Sequence, residues 1–525
     1  MADDTTLAAR QKAVFARLCD HLDGLAIATT VAGLRAAGAL AGLGDAPAGL
    51  PVGAWAAYHG LRPGYANLAG RLLALQGLAV RAGDIAGGAA TLRLTDAGRD
   101  WLRWQAAYDN AVARINAARL LLGALEEGGD APAGTRPAAD LAVPTRIRNH
   151  CRGAVVAAAM TGLARTGLLD QLAQAAAGLP LESLSAAAVA ALDRLAGEGW
   201  VTKGDNIACL TVDGRIAAAM APQYFYPVGY LALLGAVPRL LTGGEADELA
   251  VDLAGAEGHV DRELDIAFSG VVFARTCQAP FFELALPLFD ALPLDRQPRA
   301  VVDCGGGDGT LLCALYRAIA ERTARGAALA DAPLTMIGVE YNPVAERALA
   351  ARLRAEGVPG YTFAGDIRDP AAIAARLAAD GFTPDDVLHV SKSVFHNRRY
   401  RGEAVPFADA ASLGAFVAPD GGAIGAGAIE ADLAAALAAW RAHLGNPGMI
   451  VIEAHLVDEA LTAARPGASM LPVVEALHGY SHQYLVEIDV HRRAAERAGL
   501  RALARRDFGT AFAGAPIISI DRYAA

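Results

Sequence analysis

Arg299-Ala-Val-Val-Asp-Cys-Gly-Gly-Gly-Asp-Gly309 is a short apolar run ending in Asp303, followed by glycines at alternate positions 305, 307 and 309. A helical-looking segment, residues 310–322, comes next. The succession reads as a parallel strand, a tight turn and a helix. Glycines there let the backbone approach a ligand, and the free N–H groups of a helix start suit an anionic or polar group. Taken alone the turn is a weak sign, since a bare strand–helix connection looks the same. Working outward sharpens it. Leu334-Thr-Met-Ile-Gly-Val-Glu340 is a second strand ending in an acid, where a doubly wound sheet grips ribose hydroxyls. Tyr361-Thr-Phe-Ala-Gly-Asp366 ends in another acid, placed to accept from an exocyclic amine, with Ile367 beside it. Asp386-Val-Leu-His-Val-Ser391 is the fourth strand. The expected ligand-binding set is Asp303, Gly305, Gly307, Gly309, Glu340, Asp366, Ile367 and Ser391.

The order Asp-x-Gly-x-Gly-x-Gly, strand–Glu, Gly-Asp resembles the class I S-adenosylmethionine (SAM) methyltransferases. Dinucleotide-binding domains are the nearest competitor, but their fingerprint is Gly-x-Gly-x-x-Gly. The resemblance implies an α/β, seven-stranded Rossmann-like domain over residues 296–525. Gly305–Gly309 would lie near the methionine moiety, Glu340 on the ribose and Asp366 near the adenine. Three further strands fit: 448–455, 501–508 and 516–523. A Gly/Ala/Pro-rich insert at about 402–430 reads as a hairpin around Pro419-Asp-Gly-Gly422.

Composition bounds the rest. A chain of 525 residues, 54% apolar, is long enough for two or three domains. A formal charge of −10 gives no overall attraction for nucleic acid or anionic membrane. The six cysteines form no Cys-x-x-Cys pair, and the N-terminus has no signal-peptide pattern. No charge-free run of membrane-spanning length stands out, so a cytoplasmic location is expected.

The N-terminal half repeats itself. Gly153–Leu169 parallels Leu25–Leu40, Gly199-Trp-Val-Thr-Lys-Gly-Asp205 parallels Gly77-Leu-Ala-Val-Arg-Ala-Gly-Asp84, and Leu210–Arg215 parallels Leu94–Arg99. Each copy reads as helices followed by a two-stranded wing, giving mostly α, winged-helix-like units at 1–128 and 140–221. A Gly/Pro-rich linker, 127–137, separates them, and an aromatic-rich helical connector covers 222–295. Winged helices often bind DNA, which opens the reading of a SAM-sensing regulator. Against it, the helix before the second wing carries Arg194 as its only base, beside Asp193. The units read instead as assembly and substrate-capping modules, with a surface for homodimerisation.

Histidines cluster in the last third. His389, His396, His455, His478 and His482 are expected along the carboxyl edge of the sheet, the last two just before a helix that stops at Gly499. They suit either a general base or ligands of a divalent metal. Val387-Leu-His, His396-Asn-Arg-Arg-Tyr400, Ile452-Glu-Ala-His455 and His478-Gly-Tyr-Ser-His-Gln-Tyr-Leu-Val-Glu-Ile-Asp489 resemble the C-methyltransferase domains of apratoxin-type polyketide loading modules, over roughly residues 150–525. The resemblance implies metal-assisted methylation of the α-carbon of a malonyl unit on a carrier protein. A free 2-oxo acid is an equal candidate. The family's His-Asp-Arg appears as His396-Asn397-Arg398, and its Ser-Asp-Gln-Tyr as Ser481-His482-Gln483-Tyr484. The expected metal ligands, for iron or manganese, are His396, His455 and Gln483. His478 or His482 would take the proton, and Arg398, with Tyr400 nearby, would hold a substrate carboxylate. No carrier motif is evident, so a carrier would act in trans. The alternative is a metal-free O-, N- or S-methyltransferase using His396 or His455 as base.

Overall fold

The computed structural model describes residues 2–85, 90–130, 142–244, 257–291, 293–510 and 514–525. The linker expected at 127–137 lies mostly outside them. The quoted strand–turn–helix forms as read. Strand β7 (Ala300–Cys304) is buried along its whole length, as a parallel strand covered on both faces must be, and Gly309 caps the helix Thr310–Arg322. The chain continues through β8 (Thr335–Glu340), β9 (Gly360–Ala364), β10 (Val387–Lys392), β13 (Met449–Ala454), β14 (Arg501–Phe508) and β15 (Ile518–Ala524). These seven strands line up as β14-β15-β13-β10-β7-β8-β9. β7 pairs in parallel with both β8 and β10, and β15 runs antiparallel to β13. Strand order reverses between β7 and β10, so the crevice outside their carboxyl ends is the ligand position of a doubly wound sheet. One face is packed by Leu433, Leu437 and Trp440, the other by Phe281, Phe289, Leu312 and Ile319.

The insert does form a hairpin, β11 (Phe416–Val417) with β12 (Ala423–Ile424). It packs on the N-terminal half: Gly64 donates its N–H to the Gly421 carbonyl at 3.0 Å.

The N-terminal half holds two three-stranded sheets of the same order. β1 (Leu50–Pro51), β3 (Thr91–Leu94) and β2 (Ala79–Ala82) form the first; β4 (Leu179–Pro180), β6 (Ile207–Leu210) and β5 (Val201–Gly204) form the second. A helix precedes each last strand pair, Pro63–Leu75 in the first and Ala186–Gly197 in the second. The sequence reads as one helix from Ala56 to Leu78, but the chain breaks before Pro63. Arg62 is extended there, as a residue before proline prefers, and Pro63 starts a new helix where its missing N–H costs nothing.

The Pro63 helix faces the catalytic half. Arg71, 1% exposed, directs five hydrogen bonds to Glu475, Glu459 and the carbonyls of Leu413 and Val457. Among the described residues no single helix is long and apolar enough to cross a membrane. The bent pair Ala221–Gly229 and Leu231–Thr242 reaches that length jointly, and its Leu233, Leu234, Val237 and Leu241 are buried in the N-terminal core.

Candidate active site

The glycines behind β7 make a cradle. Gly305 has φ +80° and a Cβ there would lie 2.3 Å from Val394 Cγ2, so no other residue fits. Gly307 has φ +57° and donates its N–H to Glu340 at the tip of β8. Asp303 and Ser391, at or near the ends of β7 and β10, are each 1% exposed, and Asp303 Oδ1 and Ser391 Oγ have no hydrogen-bond partner among the described residues. Burial, and then the neighbouring Glu340, push the Asp303 carboxyl up to about 7 against the pull of Lys392. Burial pushes Glu340 up to about 7 against the Gly307 N–H. Two buried acids that resist ionising, beside an open glycine cradle, are suited to a ligand bringing hydroxyls and positive charge. Asp366 accepts the Arg368 N–H, and the Ile367 carbonyl accepts the Trp440 indole. SAM fits this cradle: it carries ribose hydroxyls and cationic groups.

The histidines divide into two groups. His396, just after β10, has Nδ1 on the Glu453 carboxylate of β13. His478 has Nδ1 2.7 Å from the Val474 carbonyl and 3.1 Å from the Tyr226 hydroxyl. Their Nε2 atoms face each other at 3.3 Å. With both Nδ1 protons given to acceptors, the facing Nε2 positions are lone pairs, and a proton between them completes an N–H···N bond. Burial tends to raise Glu453, but His396, then His491 and His455, hold its carboxyl down at about 2. Burial, and then His396, pull His478 down to about 3.

Other expected roles are not matched by placement. His455 is sealed in: Nδ1 lies 3.0 Å from the Val486 carbonyl and Nε2 2.8 Å from Ser519 Oγ, so both nitrogens have protein partners. Gln483 donates to Ser481. The described residues contain no group of three or more His, Cys, Asp or Glu side chains arranged to hold a metal. Arg398 is 2% exposed and spends its guanidinium on Asp432 and the carbonyls of Phe395 and Ile429, which removes it from carboxylate binding. Tyr400 packs toward Tyr484, ring centroids 6.0 Å apart.

The helix expected to stop at Gly499 forms as Ile488–Arg497, but His478 lies in the last turn of a separate preceding helix, Leu471–Tyr480, that the sequence reading lacks. That preceding helix ends in a Schellman turn, with Gln483 N–H bonded to the His478 carbonyl at 2.8 Å. His482 occupies the position glycine usually takes, at φ +60°. Its Nε2 lies 2.9 Å from the hydroxyl of Tyr65, a fully buried residue of the Pro63 helix. A strained non-glycine residue held at such a point is a sign of function. His482→Gly is therefore expected to leave stability unchanged or raised, while methyl transfer falls about tenfold; thermal melts and initial rates check both.

His389 is mid-strand, not at the edge. It is packed against Trp440 at 5.1 Å, and burial, then His443, pull it down to about 3. Its neutral ring contributes stability in full above the ordinary 6.5, and that contribution is lost as pH falls toward 3. Relative to wild type, His389→Phe should gain about 1.4 kcal/mol for each pH unit between 6.5 and about 3, and nothing further below. Urea unfolding at two pH values measures the difference.

Glu453 and Tyr65 are not singled out from sequence, and Tyr226 stands there only among the connector aromatics, some of which could line the substrate pocket. A charged residue inside the apolar run Met449–Ala454 was the available signal for Glu453. Nothing local marks the tyrosines, which reach the site by tertiary packing.

The seven-stranded order, the glycine cradle and the acids at the strand tips define a SAM-dependent methyltransferase. Residues 257–514 match the model of the AprA MT2-like domain. The match starts at 257 and so leaves out residues 150–256, which the sequence resemblance had included. No curated protein matches the chain. Solved structures similar to it include the mitomycin 7-O-methyltransferase MmcR (17% identity, 71% of this chain and 95% of that one, TM-score 0.44). Human N-acetylserotonin methyltransferase in complex with SAM is similar at 16% identity over 74% of this chain and all of that one (100%), TM-score 0.43. The CurJ carbon methyltransferase is similar at 13% identity over 70% of this chain and 90% of that one, TM-score 0.34.

Proposed function

We propose that the protein methylates the α-carbon of a small carbonyl acceptor, a 2-oxo acid or malonyl-type unit, free or on a carrier protein acting in trans. The observation that carries this reading is the facing pair His396–His478, each imidazole oriented through Nδ1 with Nε2 directed at the other. A carbon acceptor must lose a proton before it becomes a nucleophile, and a positioned pair of imidazoles is suited to take it. His478 Nε2 receives the proton; His396 shares it across the 3.3 Å contact, and Glu453 stabilises the positive charge that results. Tyr226 and the Val474 carbonyl keep His478 in one tautomer. Tyr65 and His482 close the site from the N-terminal side, excluding water. SAM, when bound in the glycine cradle, would supply the methyl group.

The same two imidazoles fit two positions of a divalent metal site. Each has its Nδ1 held by an oxygen, as metal-binding histidines do. His396 and His478, not His455, are the residues that would hold iron or manganese, and the metal would supply Lewis-acid polarisation of an acceptor oxygen. The second reading is metal-free O-, N- or S-methylation with the pair as base. It is favoured by the absence of a third His, Cys, Asp or Glu ligand among the described residues. Labelled SAM with a panel of acceptors, assayed after chelation and after adding iron or manganese, separates them. A C-methylated product whose formation chelation stops supports the first reading. An O-methylated product indifferent to metal overturns it.

The N-terminal units are proposed to be winged-helix assembly modules that do not read DNA. In the first, the helix that would enter a groove is buried from Gly64 to Leu75. In the second, that helix places Asp193 in an ion pair with Lys203. No salt-sensitive retention of duplex DNA by the full chain is expected at physiological salt; sequence-selective retention would revive the regulator reading.

A further inference from the structure

The two N-terminal units touch each other through reciprocated contacts. Helix Ala2–Ala36 of the first crosses helix Thr145–Arg165 of the second. A Cβ on Gly24 would lie 2.3 Å from the His150 carbonyl oxygen, and a Cβ on Gly153 2.1 Å from that of His21. Aligned on the shared Gly33/Gly162 and Gly38/Gly167, Gly24 and Gly153 are equivalent positions of the repeat, as are His21 and His150. Nine residues along, a Cβ on Gly33 would meet Leu241 Cδ1 at 2.7 Å, and one on its equivalent Gly162 would meet Leu125 Cδ1 at 2.5 Å. The buried polar groups obey the same exchange. His21 Nδ1 lies 2.9 Å from the Tyr224 hydroxyl, and His150 Nδ1 lies 2.9 Å from the Tyr108 hydroxyl. Tyr108 and Tyr224 both follow the helix after the wing, so the second copy of the repeat runs past 221 into the segment expected as connector, as far as Leu241.

In such a set, residue i of one copy meets residue j of the other, and j meets i. That is the mark of an isologous, two-fold interface, which is self-complementary and closes after two copies. Here both copies belong to one chain. The units have also diverged on the face that reaches the catalytic half. Counting from the equivalent Gly77 and Gly199, Tyr65, Arg71 and Arg81 correspond to Ala187, Asp193 and Lys203. The first unit thus serves the site through Tyr65 and Arg71, while the second lacks those groups.

We infer that the second N-terminal unit is a built-in partner for the first: it fills, in cis, the two-fold surface that a single-unit chain would use to bind another copy, and the enzyme works as a monomer with one site. The surface that the sequence offers for homodimerisation is consumed inside the chain.

Sedimentation velocity of the full chain across a hundredfold concentration range, with and without SAM, tests this. One species of 54.0 kDa at all concentrations is expected. Tyr108→Phe and Tyr224→Phe each delete one of the paired hydrogen bonds. They are expected to lower the melting temperature by similar amounts, a few degrees each, with mass and methyl transfer unchanged. A stable species of twice that mass overturns the inference. So does a melting shift confined to one of the two tyrosine variants, since the contacts would then not be equivalent. Neither readout depends on which acceptor is methylated, so a failure here is separate from a failure of the proposed chemistry.

Discussion

Gly307→Asp is expected to weaken SAM binding at least a hundredfold in titration calorimetry, about 2.7 kcal/mol. Three effects act together. Gly307 sits at φ +57°, where a side chain is strained. Its N–H is bonded to Glu340, so a new carboxylate would stand beside that acid and the buried Asp303, both already pushed toward neutrality. The side chain would also occupy the space through which a ligand approaches the turn. The fold should survive, because a Cβ at this position has nothing closer than Ile266 at 3.9 Å. Near-native SAM affinity in the variant, or tighter binding of NAD than of SAM by wild type, would show that the cradle has another ligand.

His478→Ala is expected to reduce kcat about a thousandfold while SAM affinity stays within a few-fold, the size of effect for a lost general base. Glu453→Gln separates positioning from base chemistry. Gln keeps an oxygen for the Val394 and Phe395 N–H groups but cannot balance a proton held on the histidine pair. The rate should fall by one to two orders of magnitude, and the acid limb of the kcat/KM profile should move to lower pH. A role for Glu453 confined to holding the backbone would leave that limb in place. Equal loss of SAM binding in His478→Ala would mean the residue supports the cradle instead.

The fold of the catalytic half was legible because its signals are local. An apolar strand ending in an acid, spaced glycines and a following helix occupy adjacent positions, and the sheet requires each of them where it stands. The repeat in the first half was legible for a similar reason: Gly77 and Gly199 hold the same left-handed turns, at φ +73° and +72°. The site was legible only in part. Sequence places His396, His455 and His478 near one edge, but which nitrogen is free depends on what lies behind each ring. The Val486 carbonyl and Ser519 close His455, and no spacing in the chain announces them. Arg398 looks like a substrate clamp until Asp432, on the helix Ala426–Arg441, turns it inward. Tyr65 reaches His482 from 417 residues away, a contact that only the packed halves create.

Arg71 sets a limit on traffic. All five of its N–H donors end on Glu475, Glu459, Leu413 and Val457, across the seam between the first unit and the catalytic half. Parting that seam strands buried charge, at a cost of about 3–5 kcal/mol. A gate there would be shut for all but roughly one part in a thousand of the time. An acceptor or inhibitor large enough to need that seam open would bind roughly a thousandfold more weakly for it.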